Sequence, residues 1–158
     1  GSHMVVLAKK ASDLEEARQI LEEAIQSGRA LESFKTFLSA QGGDSSVVDN
    51  PEKLPTAPYN IEVSATESGY VAEITAEMIG VAAMMLGAGR LTKESEIDLA
   101  VGIVLHKKVG DYVNEGDPIV TIHSNTENVS DVIEKIRAAY KFSGENIPAP
   151  TLIYTEIQ

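Results

Sequence analysis

The sequence contains no cysteine, which excludes a disulfide framework and any thiolate metal site and suits a cytoplasmic setting. Basic residues are scarce. With 13 Lys and Arg against 24 Asp and Glu, the formal net charge is −11, and a surface of that sign cannot neutralise phosphates as a polyanion-binding face must. Nucleic acid and a membrane are therefore not expected partners. No apolar run approaches the roughly 20 residues that span a bilayer, and no signal peptide is visible. The Gly-x-Ser-x-Gly nucleophile elbow and the His-Glu-x-x-His zinc motif are also missing, so two common hydrolytic signatures drop out.

What remains is a chain of 158 residues, 43% hydrophobic, enough for one or two small globular domains with a real core. Ser12-Asp13-Leu14-Glu15 reads as a capping box that starts a helix. Leu14, Ala17, Leu21, Ala24 and Ile25 recur at helical spacing, and Ser27-Gly28 supplies a left-handed stop. A second helix carries Ala30, Leu31, Phe34, Phe37 and Leu38 and ends at Gly42-Gly43. The two form a hairpin whose apolar faces need a third surface. Residues 44–58 hold Pro51, Pro55 and Pro58 among polar residues, a composition that breaks helices and favours an extended connector.

After the connector, Ile61-Val63-Ala65 and Val71–Ile74 read as strands around a turn at Glu67-Ser68-Gly69. Residues 77–86 are apolar almost all round, the pattern of a buried helix, and their methionines read as core packing. Residues 101–105 and 119–122 read as strands, with Val113 on a short strand between glycine turns. Residues 126–142 read as an amphipathic helix with Val129, Val132, Ile133, Ile136 and Tyr140 on one face. Pro148 and Pro150 follow, and Leu152-Ile153-Tyr154 is expected to return to the sheet as a strand. Irregular alternation of strands and helices points to an α+β fold with mostly antiparallel pairing.

The stretch 86–98, LGAGRLTKESEID, continuing as LAVGIVLHKKVGDYVNEGDPIVTIHSN over 99–125, resembles the C-terminal domain of pyrimidine-nucleoside phosphorylases of the broad-specificity bacterial type. Residues 5–50 are similar to the last helices of that family's central α/β domain. The resemblance implies three segments: 1–43, a helical remnant of the central domain; 44–58, a proline-rich linker; and 59–158, a C-terminal domain of α/β-hammerhead type. It also implies that the chain is a fragment. The family's Lys-Ser-Thr-Gly-Gly-type phosphate stretch and the Arg, Ser and Lys of its base site have no match here, so no catalytic or substrate-binding residue carries over. The parent enzyme would split uridine, thymidine and deoxyuridine with phosphate as co-substrate, as a homodimer; this part holds no cofactor and would partner the missing N-terminal and central lobes.

Several residues invite chemistry of their own. Gly87-Ala88-Gly89-Arg90 is a glycine loop with a cation, but it follows a helix and so lies at the negative end of the dipole, where an anion is not favoured. Gly87 reads as a glycine C-cap that opens a long loop. The family resemblance adds that this loop, with Gly87, Gly89 and Arg90, reaches towards the cleft between the lobes. His106 and His123 sit on separate strand ends without metal-ligand spacing, and no metal site is expected. Gly110-Asp111-x-Val113-x-x-Gly116-Asp117 also resembles half of a biotinyl or lipoyl carrier, or a barrel-sandwich interaction domain. Against it, Lys93 stands in Leu91-Thr92-Lys93-Glu94, unlike a carrier's modified lysine. Gly1-Ser2-His3-Met4 matches both a cleaved purification-tag remnant and the family's own helix before VxLA.

Overall fold

The computed structural model describes residues 1–90 and 92–157. The chain divides into two compact units, Gly1–Leu54 and Pro55–Gln158. The first is helical: α1 (Ser2–Leu7), α2 (Leu14–Gln26) and α3 (Arg29–Ala40). Helix α1 packs on α2, and α2 on α3. The hairpin is thus a three-helix unit, and Gly28, at φ +78°, makes the turn inside it. The N-cap of α2 lies one residue later than the capping-box pattern suggests. Asp13 accepts the Glu16 amide at 2.9 Å, and the Glu16 carboxylate takes both the amide and the hydroxyl of Ser12. A carboxylate is the stronger acceptor for a helix-end amide, so Asp13 takes the cap and Ser12 the reciprocal bond. Ala17 is fully buried, whereas Leu31, Phe34 and Phe37 remain exposed on α3.

The connector is not extended along its whole length. Ser45–Val48 and Pro51–Lys53 form two 3₁₀ turns, the first capped by Asp44 and tied to α3 by a 2.8 Å ion pair between Lys35 and Asp49. Pro51 occupies the first position of its turn, where a missing N–H costs nothing.

Among the described residues the second unit holds six strands and two helices in an α+β arrangement. The strands are β1 (Tyr59–Ser64), β2 (Gly69–Ile74), β3 (Gly102–Leu105), β4 (Tyr112–Val113), β5 (Pro118–Ser124) and β6 (Tyr140–Ser143). They form two three-stranded antiparallel sheets, ordered β1-β5-β3 and β4-β2-β6. Strands β1 and β2 are therefore not a hairpin; the turn between them passes the chain from one sheet to the other. Gly69 is required there, since a Cβ would lie 2.7 Å from the Ser143 carbonyl oxygen. On β5, Ile119, Val120 and Ile122 are buried together with Val63, Val71, Val113 and Ile136. Each fully buried aliphatic side chain of this kind contributes roughly 1.5–3 kcal/mol.

Helix α4 (Ala76–Leu86) packs on helix α5 (Ser130–Ala139) and on β3. Although apolar all round, α4 is only half-buried: Ala82 alone is fully enclosed, and Met85 is exposed. A helix lying on one layer covers one side of itself, so the all-round apolar pattern does not produce a buried helix here. Helix α5 is shorter than the 126–142 pattern predicts. Its first residues are replaced by polar turns, in which Ser124 and Asn128 side chains accept the amides of Thr126 and Ser130, the local bonds by which such residues compete with a helix. Its end is cut short because Tyr140 and Phe142 pair with β2, at Ile74 and Val71. The Tyr140 hydroxyl donates to the Lys107 carbonyl at 3.2 Å, and burial pushes its phenol up to about 12. The expected strand at 152–154 is absent: Leu152, Ile153 and Tyr154 are exposed and unpaired in any sheet. No helix among the described residues is long and apolar enough to cross a membrane.

Candidate functional site

The loop 87–98 is built on the end of α4. Gly87 adopts φ +104°, a left-handed geometry that glycine enters without the clash a Cβ makes with the following carbonyl. Its N–H donates to the Met84 carbonyl, and that of Ala88 to Ala83, which satisfies the last carbonyls of the helix. Gly89 passes close to α4, where a Cβ would touch the Met84 side chain at 3.4 Å. Arg90 is exposed. Leu91, within the same loop, lies outside the described residues.

The far end of the loop is tied back by a residue that the sequence reading did not single out. The Asp98 amide donates to the Gly87 carbonyl at 2.9 Å, and its carboxylate accepts the Ala100 amide at 2.9 Å and the Asn125 side-chain amide. Asp98 thus fixes where the loop begins, where it ends and how it meets the turn after β5. An open cleft of about 440 Å³ lies between the end of α4 and the start of α5, with Met85, Leu86, Asn125 and Thr126 on its walls. Asn125 belongs to both the cleft and the loop anchor. The signal for this pair was weak in sequence, because 27 residues separate its members and neither sits in a recurring motif. The glycines serve the helix cap and close packing.

His106 and His123 come together more than their positions on separate strands suggest. Both line an open concavity of about 610 Å³ on the outer face of the β1-β5-β3 sheet, with Asn60, Glu62, Val104 and Thr121. The His106 Nε2 is 2.7 Å from the Thr121 hydroxyl. Among the described residues no group of three His, Asp or Glu side chains could hold a metal ion, and no buried side-chain polar atom lacks a partner. Lys93 lies between α4 and β3 in the loop, beside a turn closed by the Ser95 amide on the Thr92 carbonyl. It does not sit at the tip of a β-hairpin, and the carrier reading loses its lysine.

The second unit, with this loop, is a small α+β domain of two antiparallel sheets and two helices. Residues 70–143, from β2 to the end of β6, match the family model described as the pyrimidine nucleoside phosphorylase C-terminal domain. The chain is 62% identical over 157 residues to a pyrimidine-nucleoside phosphorylase of Geobacillus stearothermophilus, covering 99% of this chain and 36% of that protein. Similar proteins of the same name from Staphylococcus haemolyticus and Staphylococcus aureus are 63% and 59% identical over 154 residues, covering 98% of this chain and 35% of theirs. Residues 70–143 thus match that family's C-terminal domain, and along nearly its whole length the chain is similar to part of proteins of that name. It spans about a third of the length of the curated relatives it matches.

Proposed function

We propose that this chain is the C-terminal part of an enzyme that catalyses reversible phosphorolysis of pyrimidine nucleosides, and that this part alone is structural. The observation that carries the reading is 62% identity along 157 residues of a protein named for that activity. Phosphate would displace uracil or thymine from uridine, thymidine or deoxyuridine and leave a pentose 1-phosphate. That chemistry needs an anion site and donors for the departing base. Neither is recognisable among the residues of this chain, and we assign both to the preceding two-thirds. Residues 1–43 are the end of the central domain, 44–58 the linker and 59–158 the accessory domain; the whole enzyme works as a homodimer in the cytoplasm.

Within this reading, the loop 87–98 faces the cleft of the whole enzyme. Gly87 shapes its exit from α4, Gly89 keeps it close, and Arg90 projects a fork of donors that a carboxylate or carbonyl across the cleft can accept. The test is direct. The 158-residue chain, incubated with uridine or thymidine and phosphate, should release no free base, whereas the full-length protein should. Turnover by this chain at the full-length rate would overturn the assignment.

A further inference from the structure

The residues after Pro150 carry large apolar side chains that the second unit does not cover. Thr151-Leu152-Ile153-Tyr154-Thr155-Glu156-Ile157 contains no glycine or proline, and five of the seven are the Thr, Ile and Tyr that favour strands. Yet it forms no strand. Leu152, Ile153, Tyr154 and Ile157 are 94%, 64%, 86% and 96% exposed, a cluster of large apolar side chains left open to solvent. The segment is firmly rooted, because a Cβ on Gly110 would meet the Ala149 backbone nitrogen at 2.9 Å, so the chain lies against the second unit up to that point and then leaves it. An apolar groove of about 350 Å³ stands at the root, with Pro150 as one wall and Ile74, Ile79, Leu105 and Val109 among the others. The apolar side chains beyond Pro150 do not fill it.

The tail is part of the matched sequence, since alignment over 157 of 158 residues leaves out one residue at most. The accessory-domain model, however, ends at residue 143. We infer that residues 151–157 are a strand arm that pairs with a sheet edge in the portion of the phosphorylase preceding this chain, an inference that rests on the reading above. Pairing would satisfy the arm's backbone groups in a ladder and place its alternate side chains in pockets on the receiving sheet. Seven extended residues reach about 23 Å from their root. A second copy of this chain is the poorer receiver, because it brings a further net charge of −11, and like charge opposes association.

Hydrogen exchange measured by mass spectrometry on peptides covering 151–157 tests this in two proteins, the 158-residue chain and the full-length phosphorylase, with uridine phosphorolysis followed on the same full-length sample. The arm's amides should exchange on the order of 100-fold more slowly in the full-length protein than in this chain. In full-length protein Tyr154→Asp should abolish that protection, and in the 158-residue chain it should leave the melting temperature unchanged. Fast exchange in both proteins would overturn the inference while activity leaves the enzyme reading intact. Protection in the 158-residue chain would also overturn it, by identifying a second copy as the receiver if it grows with concentration and the chain's own groove if it does not. Absence of phosphorolysis together with a protected arm would count against the enzyme reading alone.

Discussion

Asp111 and Asp117 close the same turn twice. Each follows a glycine of positive φ, Gly110 at +97° and Gly116 at +90°, and each carboxylate accepts the amide three residues back, of Lys108 at 2.7 Å and of Asn114 at 2.9 Å. The two turns then grip the two sheets in the same way. The Gly110 amide donates to the Val71 carbonyl and the Val71 amide to the Asp111 carbonyl; Gly116, Ala65 and Asp117 repeat the exchange. Val113 lies between the turns, fully buried. The glycine and aspartate pattern that resembles a carrier domain is therefore a paired clamp that joins the sheets.

The clamp's glycines should differ in how far they can change. At Gly116 nothing lies within 4 Å of an added Cβ, so Gly116→Ala carries the left-handed backbone cost alone, about 1–2 kcal/mol. Gly110→Ala adds a collision with the Ala149 backbone. Urea unfolding should show the larger loss at Gly110, and equal losses would mean that residues 147–149 do not press on the clamp.

Acid should weaken both units. Amide donation by Asn114 holds the Asp117 carboxyl below its ordinary 3.8, and the Lys141 ammonium holds Glu73 below 4.5. In the helical unit, bonds from Ser12 lower Glu16 and bonds from Ser46 lower Asp44. Each group binds its proton less readily folded than unfolded, so the stability it contributes is complete above the ordinary value and is lost as pH falls through the folded one. The melting temperature should be level between about pH 5 and about pH 9 and fall below about pH 4. Asp117→Asn should flatten that fall, and a melting temperature that instead rose on acidification would contradict the assignment.

The two helical stripes, the Gly87 cap and the short strand at Val113 were legible because each depends on residues within one or two turns of sequence. The division into two sheets was not, because β1 and β2 carry the same alternation whether they pair with each other or with β5 and β6. The limit of α5 was hidden for a related reason. Val132, Ile136 and Tyr140 fit a helical period, and only the open side of β2 draws Tyr140 and Phe142 into a strand. Asp98 and Asn125 were missed because a loop anchor leaves no periodic trace, and the strand expected at 152–154 pairs with neither sheet.

The second unit should depend on the α5 face. Ile136 is fully buried in the cluster with Val63, Val71 and Ile122, so Ile136→Ala should cost about 2–5 kcal/mol. Ile25→Ala, at an exposed position of α2, should stay within roughly 0.5 kcal/mol. Circular dichroism in urea measures both, and a small loss at Ile136 would mean that α5 is not integral to the core.

Arg90 and Asn125 separate the two roles that the loop 87–98 can have. Asn125 donates to the Asp98 carboxylate, and removing it leaves that carboxylate with one donor fewer at the loop's anchor. Asn125→Ala should therefore speed hydrogen exchange across 88–97 in the 158-residue chain, with the core amides of β5 unchanged. Arg90 is exposed and lies beyond the glycine cap, so Arg90→Ala should leave both exchange and melting temperature as they are. In the full-length enzyme the order reverses. If the guanidinium reaches across the cleft, Arg90→Ala should raise KM for phosphate or nucleoside directly, and Asn125→Ala should do so only through a loosened loop, with a smaller effect. An Arg90→Ala enzyme with wild-type kinetics, beside a 158-residue chain destabilised by the same substitution, would make Arg90 a structural residue and remove the loop from the cleft.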